Sequence, residues 1–215
     1  LNGSGSAVPS LRVPYGIVVP FANQAGKTAY AETPARPLRA DARRNRERIM
    51  AAAREQFAVH GRSAQMEDIA ASAELGVGTL YRHFADKRAL ITAMVQELFG
   101  TMTQLATDAD HIDDAYEALT TLVRSQSDLV AHDRGLQFAL MSDDLEWDGI
   151  HEDFAELGTI TNRIIQRGIG QGVVRRELTA DDIGMIMCGL ASTMYFKPGG
   201  DWRRHREILL DGLRA

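Results

Sequence analysis

Apolar residues recur along this chain at helical spacing and nowhere alternate with a period of two over a useful length. Within 66–84, MEDIAASAELGVGTLYRHF, the residues Met66, Ile69, Ala70 and Ala73 mark one face of a helix. Glu74-Leu75-Gly76 interrupts that face, and a second short helix restarts through Val77, Leu80, Tyr81 and Phe84. Upstream, residues 43–60 set Ile49, Ala53 and Phe57 at four-residue steps behind a basic start, and Gly61 ends the run. Downstream every segment reads as helix: 87–108 on Leu90, Met94, Leu98, Met102 and Leu105, then 112–132 on Tyr116, Leu119, Val123 and Leu129. A short helix over 135–141 precedes an acidic loop, 142–149; residues 150–171 come next and stop at Gly172. Thr179-Ala180-Asp181-Asp182 resembles a capping box opening 181–196; Pro198-Gly199-Gly200 breaks that helix and Asp201 caps the last. The pattern predicts an all-α fold.

Two short helices joined by a three-residue turn form a helix-turn-helix unit, whose second helix lies in the DNA major groove. The string Gly78-Thr79-Leu80-Tyr81-Arg82-His83-Phe84 also resembles the end of that unit in the tetracycline-repressor (TetR) family of transcriptional regulators. The likeness extends from about Arg43 to Val95, taking in Asp86-Lys87-Arg88-Ala89-Leu90 as the start of a fourth helix. More softly, residues 201–215 resemble the family's last helix in some members. The resemblance implies an N-terminal three-helix DNA-binding domain at 37–90 and a C-terminal helical ligand-binding and dimerisation domain at 91–215. Residues 1–36 are expected to be a flexible or disordered extension.

Two positions depart from the family pattern. Glu74 stands where glycine is usual, at a turn that often needs a left-handed backbone costing a non-glycine residue about 1–2 kcal/mol. Either the turn is re-formed with other angles, or it is strained. Gln65 stands where Ser or Thr usually caps the second helix, and Ser63 is the alternative cap.

Charge sharpens the division. The chain carries −5, yet residues 36–90 hold eleven Arg/Lys against seven Asp/Glu, and the remainder carries −9. A positive head on an acidic body suits one-sided contact with DNA phosphates. A hydrophobic fraction of 45% over 215 residues is enough for a real core, and the lone Cys188 excludes an internal disulfide framework and fits a cytoplasmic protein. No stretch approaches the eighteen apolar residues of a membrane span, and VPYGIVVPFA is too short and proline-broken for an export signal. Leu1 to Ser6 reads as a linker; Arg36 and Arg39 read as an arm on the DNA backbone. Gly26-Lys27-Thr28 lacks the upstream glycine of a phosphate loop, and the glycines at 168, 170 and 172 end a helix instead of following a strand. The six histidines show no ligand spacing, so no metal or cofactor is expected. The acidic runs 108–114 and 143–148 read as solvated loops before cation sites, and no nucleophile–base pair is visible.

In the second helix, Val77, Gly78 and Thr79 stand where base edges would be read: Gly78 permits close approach, and Thr79 offers a methyl and a hydroxyl. The resemblance makes Tyr81 and His83 phosphate contacts, with Lys87 at a helix N-terminus and Arg44 as further ones. Leu80 and Phe84 are core, while Tyr81 could be core and Arg82 merely solvated. The resemblance also implies a homodimer on a palindromic operator, paired through the last two helices. There Ile183, Ile186, Met187, Leu190 and Met194 form an apolar face, Gly184, Gly189, Ala191 and Ser192 allow close approach, and Ile208, Leu209 and Leu213 line the final helix. It implies a small-molecule effector pocket as well. Met94, Phe99, Met102, Phe138, Met141 and Trp147 give that pocket an apolar or aromatic character, with His111 or Asn162 as polar anchors. The expectation is a ligand-responsive regulator, not an enzyme. The alternatives are a helical protein-interaction adaptor without sequence-specific DNA binding, or an enzyme.

Overall fold

Side-chain caps set most helix starts in the computed structural model, which describes residues 10–13, 17–20, 36–146 and 150–215, with side chains from 40 onward. Asp86 accepts from the Ala89 amide at 2.8 Å and opens α4, Lys87–Asp110. Asp114 accepts from Tyr116 and Glu117 amides and opens α5, Ala115–Ala131; Asp133 accepts from Leu136 and opens α6, Arg134–Leu140. After α7, His151–Gln171, Thr179 and Asp182 close a reciprocal capping box at α8, Ala180–Phe196. Asp201 caps α9, Trp202–Asp211. Each cap satisfies backbone N–H groups that the helix itself leaves unbonded.

Three helices precede these: α1, Arg36–His60; α2, Met66–Ser72; and α3, Val77–His83. Periodicity alone begins the first helix at 43, but α1 starts seven residues earlier. Pro37 in its first turn forfeits only an amide that has no partner there. A turn of 3-10 helix, Gly61–Ser63, joins α1 to α2. Among the described residues the elements from 36 onward are all helical, as expected, and one short hairpin precedes them. β1, Ser10–Val13, pairs antiparallel with β2, Ile17–Pro20, with Leu11 opposite Val19 and Val13 opposite Ile17. Branched residues favour such a ladder, and Pro20 falls at its end, where a missing amide matters least. The linker reading at 1–6, the rejected loop at 26–28 and Trp147 lie outside the described residues, as do the side chains of Arg36 and Arg39.

The helices share one continuous core from Ile49 to Leu213. Phe57, Ile69, Leu80 and Leu90 are fully buried at the head end, and Leu119, Leu122, Ile164 and Ile165 in the body. Helix α4 belongs to both: it packs on α5, α6 and α7 along the body, and its first turns close the head against α1. At 24 residues it is about 36 Å long. Head and body also meet at α1 and α6. Phe57 stacks on Phe138 with ring centres 5.1 Å apart, and a Cβ on Gly135 would collide with the Arg54 backbone.

Some carboxylates of the acidic runs have partners, although Asp108, Asp113, Asp114, Asp143 and Glu146 stay exposed. Asp110 takes guanidinium bonds from Arg163 at 2.7 Å and Arg167 at 2.9 Å, while Asp114 serves as a cap. In 142–146, Asp143 pairs with Arg62, Glu146 pairs with Arg88 at 3.2 Å, and the Glu146 amide donates to Thr92 Oγ1. Two of that loop's carboxylates are thus joined to head arginines. Asp148 lies outside the described residues. Among the described residues no group of His, Cys, Asp and Glu is arranged to hold a metal, and no helix is long and apolar enough to cross a membrane.

The apolar face assigned to the last two helices divides differently from the sequence expectation. Ile183, Leu190, Ala191, Met194 and Leu213 are buried within the protomer, because α5, α6 and α7 pack on α8. Ile208 and Gly189 are exposed as the expectation had it, and Met185 and Phe196 are outward apolar side chains that it did not name.

Candidate nucleic-acid interface

Helix α2 ends where its last carbonyls receive amides from beyond the helix. Leu75 N–H donates to Ala70 O at 2.9 Å, and Glu74 N–H to Ala71 O at 2.9 Å. This pair of bonds is the Schellman motif, which requires a left-handed residue just past the helix end. Here that residue is Glu74, with φ of 51°. Of the two alternatives the sequence left open, the turn keeps its left-handed form and bears the strain, about 1–2 kcal/mol. Arg48 on α1 partly offsets it: its Nη2 lies 2.9 Å from Glu74 Oε2 and 3.4 Å from Glu74 O. With 87% of the Glu74 side chain exposed, an ion pair of this kind contributes at most about 1 kcal/mol. The strain outweighs the pair.

The start of α2 corrects the capping expectation. Ser63 Oγ donates back to His60 O at 2.8 Å and does not cap α2; Gln65 occupies the cap position with no side-chain bond to the helix. Glu67 and Asp68 in the first turn supply favourable charge at the helix N-terminus.

Helix α3 buries Leu80 and, just past its end, Phe84, and turns Val77, Gly78, Tyr81 and Arg82 outward, with Thr79 half-buried. Val77 is 42% and Tyr81 44% exposed, values that fit a surface awaiting a partner better than a finished core. A Cβ at Gly76 or Gly78 would meet nothing within 4 Å, so nothing inside the protein demands glycine at either. The Tyr81 hydroxyl lies 3.5 Å from Glu67 Oε1, at the limit of a hydrogen bond. His83 is half-buried at the end of α3, tilted against the Phe84 ring. Arg44 is exposed and paired with Asp41 one turn earlier on α1.

Lys87 is held differently from the other candidate phosphate contacts. Its ammonium donates to Arg62 O at 2.5 Å and Ala64 O at 3.1 Å, and lies 5.5 Å from the centre of the Phe57 ring. Partial burial pushes its pKa below the usual lysine value. It braces the connection between α1 and α2, and reaching a phosphate would mean releasing two carbonyls. Sequence reasoning missed Arg46, whose guanidinium sits 4.9 Å over the Phe84 ring, and Arg48. The signal for Arg48 was its four-residue step from Arg44, which puts both on one face of α1.

Of the proposed effector residues, those the structure describes lie on α4, on α6 and at its C-cap, with different neighbours. Met94, Phe99, Met102 and Phe138 are buried and Met141 is half-buried. Phe99 meets Phe154 of α7 edge-on at 5.5 Å, whereas Phe138 belongs to the head–body joint. Met141 contacts Ser192 of α8. The two polar anchors named from sequence face solvent: His111 Nδ1 lies 2.8 Å from Thr107 O, and Asn162 is exposed. An open cleft of about 340 Å³ lies elsewhere, between Asp114, Tyr116, Gly172, Val173 and Arg214. It was not foreseen, since it joins segments far apart in the chain.

Comparison with known proteins covers both halves of the helical chain. The family profile for bacterial regulatory proteins of the tetR family matches residues 49–94, and that for the C-terminal domain of SbtR-like transcriptional regulators matches residues 114–215. The HTH-type transcriptional repressor KstR2 of Mycolicibacterium smegmatis is 27% identical over 183 residues, covering 79% of this chain and 85% of the repressor. A TetR transcription regulatory protein from Mycobacterium vanbaalenii has a crystal structure that superposes with a TM-score of 0.59 at 28% identity, covering 83% of this chain and all of the other. FadR from Bacillus subtilis, solved in complex with stearoyl-CoA, shares the fold at a TM-score of 0.65 and 23% identity, over 77% of this chain and 95% of its own. These relatives are regulators, not enzymes. With a helix-turn-helix whose second helix turns Val77, Gly78 and Tyr81 outward, and with both parts of the helical chain matched, the protein belongs to the TetR family of transcriptional regulators.

Proposed function

We propose that this regulator is a ligand-responsive repressor that binds a palindromic operator as a homodimer in the cytoplasm. Residues 37–90 form its DNA-binding domain and 91–215 its effector-binding and dimerisation domain. One observation carries the reading: α3 buries Leu80 and exposes Val77, Gly78 and Tyr81 on a head whose net charge is opposite to that of the body. Val77, Gly78 and Thr79 read base edges, and Gly78 leaves room for the groove wall. Arg44, Tyr81 and His83 contact the sugar–phosphate backbone. Lys87 supports them by fixing the turn before α2.

The dimer forms through α8 and α9, with Met185, Phe196 and Ile208 as its apolar surface. The effector is a small apolar or aromatic molecule, recognised near Phe99 and Met102 between α4 and α7. It favours the conformation unable to bind DNA; moving a 1:99 population to 99:1 takes about 10⁴-fold tighter binding to that state.

Selection of random duplexes tests the central claim. The expected result is an enriched palindrome whose affinity falls linearly in log–log plots against salt. Failure to enrich any palindrome overturns it. Sedimentation at micromolar concentration checks the dimer, and a stable monomer there removes it, because an interface of this type buries over about 1,000 Å². A thermal-shift screen of apolar metabolites, followed by operator release, checks the switch.

A further inference from the structure

No side-chain cap fixes the first turn of α3. Its N-cap is Gly76, which has no side chain to bond the free amides, and Gly78 lies two residues later. A Cβ at either position would meet nothing within 4 Å, and glycine restricts the backbone less than any other residue at the place where bases would be read. Glu74, two residues before the N-cap, is the opposite. Glu74 is locked in a left-handed conformation by two bonds to α2, and its side chain and carbonyl are held by Arg48 from α1. The strain at Glu74 exceeds the stabilisation from an exposed ion pair, so glycine would serve folding better. Strain that stability does not explain points to a functional use.

We infer that Arg48 and Glu74 are positioning residues: the pair holds the start of α3 at a fixed angle to α1 and thereby sets how sharply the protein tells one duplex sequence from another. Glycine at 74 would leave the Schellman bonds intact but remove the shorter, charged half of the tie to α1, keeping only the 3.4 Å bond from Arg48 to the carbonyl. The start of α3 would then wander by the freedom of Gly76 and Gly78, blurring contacts that depend on a fixed approach. The inference rests on the proposed DNA reading, and the test separates the two.

Three variants of the full chain are compared with the original: Glu74→Gly, Arg48→Gln, and the swapped pair Arg48→Glu/Glu74→Arg. Two quantities are measured, the ratio of affinities for the enriched duplex and a scrambled one at a single salt concentration, and amide hydrogen exchange at Thr79 and Leu80. Both amides donate to Gly76 O in the free protein. Glu74→Gly is expected to lower the ratio about five- to tenfold while speeding exchange at Thr79 and Leu80, although its melting temperature rises. Arg48→Gln lowers affinity for both duplexes and lowers the ratio too. The swapped pair recovers the ratio. A Glu74→Gly variant that melts higher yet keeps both ratio and exchange unchanged overturns the inference, as does a swapped pair no better than either single change. If the original protein enriches no duplex, the DNA reading fails, and exchange alone decides: unchanged rates overturn the positioning role, and faster rates sustain it.

Discussion

The turn after α2 and the end of α7 have the same hydrogen-bond pattern with different residues at its centre. At the end of α7, Val173 N–H donates to Gly168 O and Gly172 N–H to Ile169 O, both at 3.0 Å, around a left-handed Gly172 with φ of 72°. After α2 the same two bonds surround Glu74. A Cβ at Gly172 would meet nothing within 4 Å, so the backbone conformation alone asks for glycine there. Bond pattern thus dictates the dihedral, while the side chain at the centre answers to its neighbours. Gly172 has none that need it; Glu74 has Arg48.

The largest effect should come from Gly172→Ala, which places a Cβ at positive φ with no new contact to offset it. A loss of about 1–2 kcal/mol is expected, seen as a fall of about 2–8 °C in melting temperature. An unchanged melting temperature would break the comparison at its base. Glu74→Gly should move the other way by less, a gain of about 0.5–1 kcal/mol, because relief of strain is set against the lost ion pair and glycine's looser unfolded chain. The difference between the two magnitudes bounds the contribution of Arg48. Arg48→Gln comes third. It should cost no more than about 1 kcal/mol, and the cost should shrink in high salt as expected of an exposed pair.

The smallest effect is a pH dependence that belongs to the body alone. Hydrogen bonding from Arg124 holds the Glu207 carboxyl below its ordinary value of 4.5, with Arg206 adding to the effect. A depressed carboxylate stabilises the fold above its unfolded value and loses that contribution as pH falls through the folded one. Chemical unfolding below pH 4.5 should therefore weaken the original protein more steeply than Glu207→Gln; parallel curves would show the pair to be inert.

Periodicity made the helices legible because each buries a single stripe, and caps such as Asp86, Asp201 and the Thr179 box could be read from chemistry acting within one turn. Gly172 was legible for the same reason. The start of α1 was not, since proline ends most helices but is tolerated in a first turn. Nor could periodicity say what covers an apolar face: Leu190 and Met194 looked available for a partner and are buried by the protomer's own helices. Lys87 shows a further limit. A long side chain at a helix start could reach a phosphate or fold back onto carbonyls, and the choice depends on Arg62 and Ala64, more than twenty residues earlier. The TetR-like string points to the right family, but Arg48, which bears on its geometry, lies outside it.

The missing side chain at Gly135 turns the joint between α1 and α6 into a gauge of head angle. Backbone there lies directly against backbone, so α6 cannot approach α1 further at this point without moving it. A single methyl group at 135 would act as a wedge at the fulcrum. In the proposed dimer, such a wedge is expected to change the spacing of the two α3 helices while leaving the residues of α3 itself unaltered.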